Sequence, residues 1–188
     1  MQLADSIRKA RQIQNKLSHP SCAAVIVAAG SSARMGGTDK ILAELGGLPV
    51  LSRTLRVFDD HDMIDTIIVV AREEQMPKIS RVCSPYHKVR IVVPGGNSRQ
   101  ESVMHGLEAV PEETELVAVH DGARPLVTPE VITKAILKAA KFGAAAPAIP
   151  VKDTIKEVTG GVIVRTLARE RLFAVQTPQV FDAALIKA

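Results

Sequence analysis

Five short apolar runs, separated by stretches of helical periodicity, restrict this 188-residue chain to few architectures. Residues 23–28 (AAVIVA) form a continuous apolar run, as expected of a strand buried on both faces. Residues 64–70, 89–93 and 116–120 repeat the pattern with β-branched residues, and 144–149 supply a fifth candidate. Between them, 49–58, 73–82, 98–110 and 129–142 have helical spacing. Strand–helix alternation predicts an α/β fold with parallel strands and right-handed crossovers. Aromatics make up only 3% of the chain, so Val, Ile, Leu and Ala must build the core.

The pattern changes after Pro150. Residues 151–170 alternate around Gly160-Gly161, which predicts an antiparallel hairpin. Val158 and Ile163 sit among polar neighbours, so this hairpin reads as a protruding β-arm that needs a covering surface, a second subunit being the obvious one. Residues 181–188 read as the end of a strand and the start of a helix, an abrupt close for such a domain. The expected organisation is a basic N-terminal extension over 1–20, helical or mobile, and one domain over 21–188.

The net charge of +4 is uneven. Arg8, Lys9, Arg11 and Lys16 face only Asp5 in the first 20 residues, leaving 20 basic against 19 acidic residues elsewhere. Neither that balance nor the scarcity of aromatics suits a nucleic-acid surface. The apolar positions Leu3, Ile7, Ala10, Ile13 and Leu17 admit a membrane-surface or targeting helix, but five positions favour a simple extension. No run is long enough to span a bilayer and no apolar secretory core follows the start. Cys22 and Cys83 make neither a CxxC pair nor a metal-ligand spacing, which fits a reducing, cytoplasmic location.

Three loops carry the chemistry. Residues 28–40 (AAGSSARMGGTDK) follow the first strand directly. Small residues from Ala28 to Ala33 allow close backbone approach to a ligand, with N–H groups for a phosphate and Arg34 and Lys40 as fixed cations. Lys40 is followed by Ile41, and Gly30 by Ser31-Ser32, which excludes a Walker loop and a dinucleotide fingerprint. Residues 94–103 (PGGNSRQESV) follow another strand and open a helix, with Ser98 as N-cap and Glu101 as its capping-box partner. Gly96 and Ser102 are candidates for reading a pyrimidine. Residues 119–125 (VHDGARP) put Asp121 at the carboxyl edge of the sheet, where open α/β sheets bind ligands. Asp121 can hold Mg²⁺ or sugar hydroxyls, and Arg124 a phosphate. His120 reads as structural. No Ser/His/Asp nucleophile set and no His/Cys cluster emerges.

In series, AAGSSARM with Lys40, PGGNSRQESV, VHDGARP, VKDTIK and QTPQVF resemble the 2-C-methyl-D-erythritol 4-phosphate cytidylyltransferases of the non-mevalonate isoprenoid pathway, from about residue 23 onward. The resemblance implies a Rossmann-like, mostly parallel sheet with helices on both faces, and an arm exchanged across a homodimer. It implies that Arg34 and Lys40 stabilise the transition state at the α-phosphate of CTP and that Arg169 positions the attacking phosphate. Ala28, Ala29, Gly30 and Ser31 would cradle the nucleotide, and Gly96 and Ser102 would contact cytosine. Asp121, Arg124, Thr154 and Thr177 would hold the polyol phosphate, with Mg²⁺ or another divalent cation on the triphosphate. Family members continue past residue 188 into a segment whose lysine helps bind both substrates. No residue here matches it, since Lys187 lies too early, so the reading is of a truncated form or one lacking a catalytic part. The alternatives are a ribitol-5-phosphate cytidylyltransferase and a non-catalytic nucleotide-binding relative.

Overall fold

The computed structural model describes residues 20–30 and 39–188. The N-terminal extension up to residue 19, and Ser31 and Arg34 in the first loop, lie outside the described residues.

Strand β1 (Cys22–Val27) leads to a small hairpin of β2 (Glu44–Leu45) and β3 (Leu48–Pro49), then helix α1 (Val50–Asp59). There follow β4 (Thr66–Ala71), α2 (Met76–Cys83), β5 (Val89–Pro94), α3 (Arg99–Glu108), β6 (Leu116–Asp121) and α4 (Pro129–Phe142). The rest of the chain comprises β7 (Ala144–Ala145), β8 (Ala148–Pro150), β9 (Lys156–Thr159), β10 (Val162–Thr166), β11 (Phe173–Val175), β12 (Gln179–Asp182) and α5 (Ala183–Lys187). The main sheet has the order β5-β4-β1-β6-β12-β7. Its first four strands are parallel, while β12 runs antiparallel to both β6 and β7.

Side chains of β1 alternate between the two faces, as a period of two demands. Ala24 and Ile26 join Leu51, Leu55, Phe58, Ile79, Ile132 and Ile136 on the face covered by α1, α2 and α4. Ala23 and Val25 join Ile68, Val70, Leu107, Val117 and Val119 on the other face, under α3. Each fully buried Leu, Ile, Val or Phe contributes roughly 1.5–3 kcal/mol to this double core. The contact of α3 with the sheet depends on Gly106: a Cβ there would lie 2.5 Å from Val25 Cγ1 and 2.9 Å from Val70 Cγ2.

Two local expectations are corrected, and one feature is new. The single strand over 144–149 is two. Pro147, between them, has no N–H for a ladder, and its carbonyl accepts from Gln176 N at 2.8 Å. The chain therefore leaves the main sheet after Ala145, and β8 pairs with β11 in a separate ribbon. The helix expected from residue 73 begins as a 3₁₀ turn, Glu73–Gln75, and becomes α-helical at Met76. The β2–β3 hairpin was not anticipated; it turns on Gly46 (φ 59°) and Gly47 (φ 78°).

The arm matches expectation as a hairpin. β9 and β10 pair around Gly160 and Gly161, both with positive φ, as a two-residue hairpin turn requires. Val158, Val162, Ile163 and Val164 are all exposed, and so are Ile149, Phe173 and Val175 of the ribbon at its base.

Candidate active site

The three loops converge at the carboxyl ends of β1, β4, β5 and β6. Ala28 N donates to Val70 O at 2.7 Å, Gly95 N to Ala71 O at 2.8 Å, and Gly122 N to Val27 O at 2.8 Å. Each loop is thus tied to its neighbour strand in its first residue beyond the ladder. The Ala28 N–H is spent on the sheet, so any backbone cradle for phosphate starts at Ala29.

A cleft of about 450 Å³ opens between the first two loops and the residues after β4, lined by Ala29, Arg72, Gly95, Gly96, Glu101 and His105, among others. Gly95 makes it possible: a Cβ there would come within 2.4 Å of Ala29 Cβ. Ser102 is buried, and its hydroxyl donates to Ser98 O at 2.8 Å and accepts from Gly96 N at 3.1 Å. Its visible role is therefore to hold the glycine loop that floors the cleft. Ser98 caps α3 by accepting from Glu101 N at 3.0 Å, as expected. Glu101 reaches back to the N–H of Asn97, one residue before the cap, at 2.6 Å. Another hollow of about 550 Å³, lined by Arg90, Glu108, Glu112 and Glu113 among others, lies at the start of β5, the opposite edge of the sheet, away from the glycine loops.

Asp121, at the end of β6, is held by two arginines. Its Oδ1 accepts from Arg99 Nε at 3.2 Å and Nη2 at 3.1 Å, and its Oδ2 from Arg124 Nε at 2.9 Å. Burial pushes the carboxyl group up, but the hydrogen bond from Arg124 and the Arg99 guanidinium outweigh it, holding Asp121 below its ordinary value. Arg124 also hydrogen-bonds Gln176 Oε1. Arg99 was not singled out in the sequence. Its only signal is its place in the first turn of a helix that opens at the sheet's ligand-binding edge, and its partner is 22 residues away.

Behind Asp121 lies a buried polar relay. His120 is inaccessible and packs on Phe58, ring centroids 4.9 Å apart. Its Nε2 lies 3.2 Å from Arg124 O, an atom that can only accept, so Nε2 carries the proton. Nδ1 then accepts from the Thr177 hydroxyl at 2.9 Å, and Thr177 Oγ1 in turn accepts from Asp121 N at 3.4 Å. Burial pulls the His120 pKa down to about 4, keeping the ring neutral. Thr54 completes the support by donating to Gly122 O at 2.8 Å from α1.

The predicted residues thus divide into groups. Ala29 and Gly96 line the cleft, with Ser102 beneath the glycine loop, Gly30 is the next residue after Ala29, and Asp121, Arg124 and Thr177 form a second cluster. Lys40 follows Asp39, whose carboxylate pairs with Arg72 on the cleft wall. Thr154 and Arg169 stand on the exposed arm, where Arg169 Nη1 donates to Lys152 O at 3.0 Å. Among the described residues, no hydrogen bond or ion pair joins either of them to the Asp121 cluster. Asp121 also fits a metal poorly in this arrangement, because both its oxygens already face guanidinium donors.

The family model of 2-C-methyl-D-erythritol 4-phosphate cytidylyltransferase (IspD) matches residues 22–188. A cytidylyltransferase of that name from Halalkalibacterium halodurans is 47% identical over 166 residues, which is 87% of this chain and 72% of the relative. One from Dehalococcoides mccartyi is 47% identical over 167 residues, 87% and 73% of the two chains. The crystal structure of 4-diphosphocytidyl-2C-methyl-D-erythritol synthase from Anaerococcus prevotii superposes with a TM-score of 0.81 at 33% identity, covering 92% of this chain and 74% of that one. With the family match across residues 22–188, this level of identity and this structural likeness, the chain belongs to the 2-C-methyl-D-erythritol 4-phosphate cytidylyltransferase family.

Proposed function

We propose that this chain transfers the cytidylyl group of CTP to 2-C-methyl-D-erythritol 4-phosphate, releasing pyrophosphate. The observation that carries the reading is the cleft floored by Ala29, Gly95 and Gly96, beside a carboxylate clamped by Arg99 and Arg124. Small residues admit a base and ribose against the backbone. The adjoining cluster offers the mixture of carboxylate, guanidinium and hydroxyl that a polyol phosphate needs. The ribitol-5-phosphate alternative gives way because the matching family and the relatives above are named for methylerythritol phosphate.

In the reaction, the oxygen of the polyol phosphate attacks the α-phosphorus of CTP in line. The new P–O bond forms as the bond to the β-phosphate oxygen breaks, and the electron pair leaves with pyrophosphate. No protein nucleophile is required. The chain's task is positioning and charge stabilisation. Lys40 and Arg34 are assigned as the cations that stabilise charge at the α-phosphate. Asp121 orients polyol hydroxyls, and Arg124 attracts the phosphate. A divalent cation bound with the triphosphate would supply neutralisation of its charge.

The arm fits a homodimer, in which Thr154 and Arg169 are carried to the polyol site of a second subunit. Four exposed branched aliphatic residues on β9 and β10 support that reading, since such a surface favours cover. Among the described residues no helix is long and apolar enough to cross a membrane. A cytoplasmic location suits an enzyme of CTP and a phosphorylated polyol.

The test is pyrophosphate release by the full chain with CTP, Mg²⁺ and either methylerythritol phosphate or ribitol 5-phosphate. Release with methylerythritol phosphate alone is expected. Release with ribitol phosphate alone reverses the substrate assignment, and CTP binding without release from either leaves a non-catalytic relative.

A further inference from the structure

Asp39, immediately before Lys40, is held by more contacts than a surface carboxylate needs. Its Oδ1 accepts from Ile41 N at 3.0 Å. Its Oδ2 accepts from Arg72 Nη2 at 3.0 Å and from the Gln75 side-chain amide. Its own carbonyl accepts from Ala43 N at 2.8 Å. The pair is largely sheltered, with side-chain exposures of 28% for Arg72 and 19% for Asp39. On the other side of Lys40, Ile41 is buried and its carbonyl accepts from Leu51 N at 3.0 Å. Lys40 is therefore bracketed by two anchored residues.

The far end of this clamp is the cleft. Arg72 follows the last residue of β4 and lines the cleft wall with Ala29, Gly95 and Gly96. A sheltered ion pair is a weak stabiliser. What such a pair supplies well is fixed geometry.

From this we infer that Asp39 and Arg72 are positioning residues: their ion pair ties the backbone carrying Lys40 to the wall of the nucleotide cleft, setting where the Lys40 ammonium meets the triphosphate. The inference rests on the reading of Lys40 given above. It assigns Asp39 and Arg72 no contact with the reacting atoms. Their effect passes through Lys40, and a displacement of about 1 Å at such a group costs on the order of a hundredfold in rate.

Turnover and binding together test it on the full chain. Asp39→Ala is expected to lower kcat about tenfold or more while the KM for CTP changes by less than about twofold. In a Lys40→Ala background the same substitution has no further effect, since the group it positions is gone. Arg72→Lys keeps a cation against the carboxylate and recovers part of the loss seen in Arg72→Ala. Should Asp39→Ala fail to fold, Arg72→Lys carries the same comparisons. Acetylation of Lys40 by acetic anhydride, read by peptide mass spectrometry, needs no turnover. CTP shields Lys40 in the unmutated chain, and that shielding is lost in the Asp39 variant. Wild-type turnover in Asp39→Ala, equal shielding in both chains, or a loss that multiplies through in the Lys40→Ala background overturns the proposal. Full turnover of Lys40→Ala itself overturns the parent reading as well, which separates the two failures.

Discussion

The Thr177 hydroxyl donates to Nδ1 of His120 across 2.9 Å, joining residues 57 apart in the chain. Through it, a neutral imidazole with no access to solvent holds the backbone N–H of Asp121 on one side and the carbonyl of Arg124 on the other. The Asp121–Arg124 cluster is thus set from below by buried, uncharged groups.

That relay makes stability depend on pH. The native state keeps His120 unprotonated down to about pH 4, whereas an ordinary imidazole takes up its proton near 6.5. The unfolded chain therefore binds more protons between those values. The contribution is fully present above pH 6.5 and is lost as pH falls towards 4, by up to about 3 kcal/mol. Urea unfolding across that range checks it: His120→Gln, with no proton to gain, has the flatter profile.

Thr177→Val keeps the shape and removes the hydroxyl. Asp121 N and His120 Nδ1 both lose a partner in a buried setting. A loss of about 1–3 kcal/mol is expected, visible as a lowered melting temperature, with a raised KM for the polyol phosphate.

Arg99→Ala leaves Asp121 with Arg124 alone. One of the influences that lower its carboxyl pKa is gone, so the acid limb of the kcat/KM profile moves to higher pH. An unshifted limb in a pH-rate series would remove Arg99 from the site.

Gly106→Ala forces a methyl group into Val25 and Val70, both wholly buried. Helix propensity favours Ala by about 1 kcal/mol, but overpacking costs about 1–3 kcal/mol. A net loss in denaturant midpoint is expected, with α3 and its glycine loop moving away from the sheet.

Both thiols should be inert in the folded protein. Burial raises Cys83, and burial with the nearby Asp65 charge raises Cys22, each to about 12. At pH 8 iodoacetamide is expected to label neither until denaturant is added.

The parallel half of the fold was legible because β1, β4 and β6 are largely apolar runs, as strands covered on both faces are, and β5 at the edge still carries β-branched residues. Residues 129–142 were legible for the same kind of reason: Pro129 opens the helix and Gly143, at φ 82°, ends it. The β2–β3 hairpin was not, since two-residue strands offer no period to detect. The division of residues 144–149 turned on Pro147 and on partners at 173–182, which are remote in sequence.

For the site, the local loops could be read from glycine, serine and charge placed after apolar runs. Such residues signal ligand approach through their own backbone freedom and charge. The couplings between loops could not. Arg99 meets Asp121, Arg72 meets Asp39, and Thr177 meets His120 only once crossover connections have brought the strand ends together. The amino-acid order by itself determined where the long parallel strands and their helices fall, because periodicity and composition are local. Which of those side chains share a hydrogen bond was decided by the tertiary structure, because the pairing partners lie 22 to 57 residues apart and only the assembled sheet sets the distance between them.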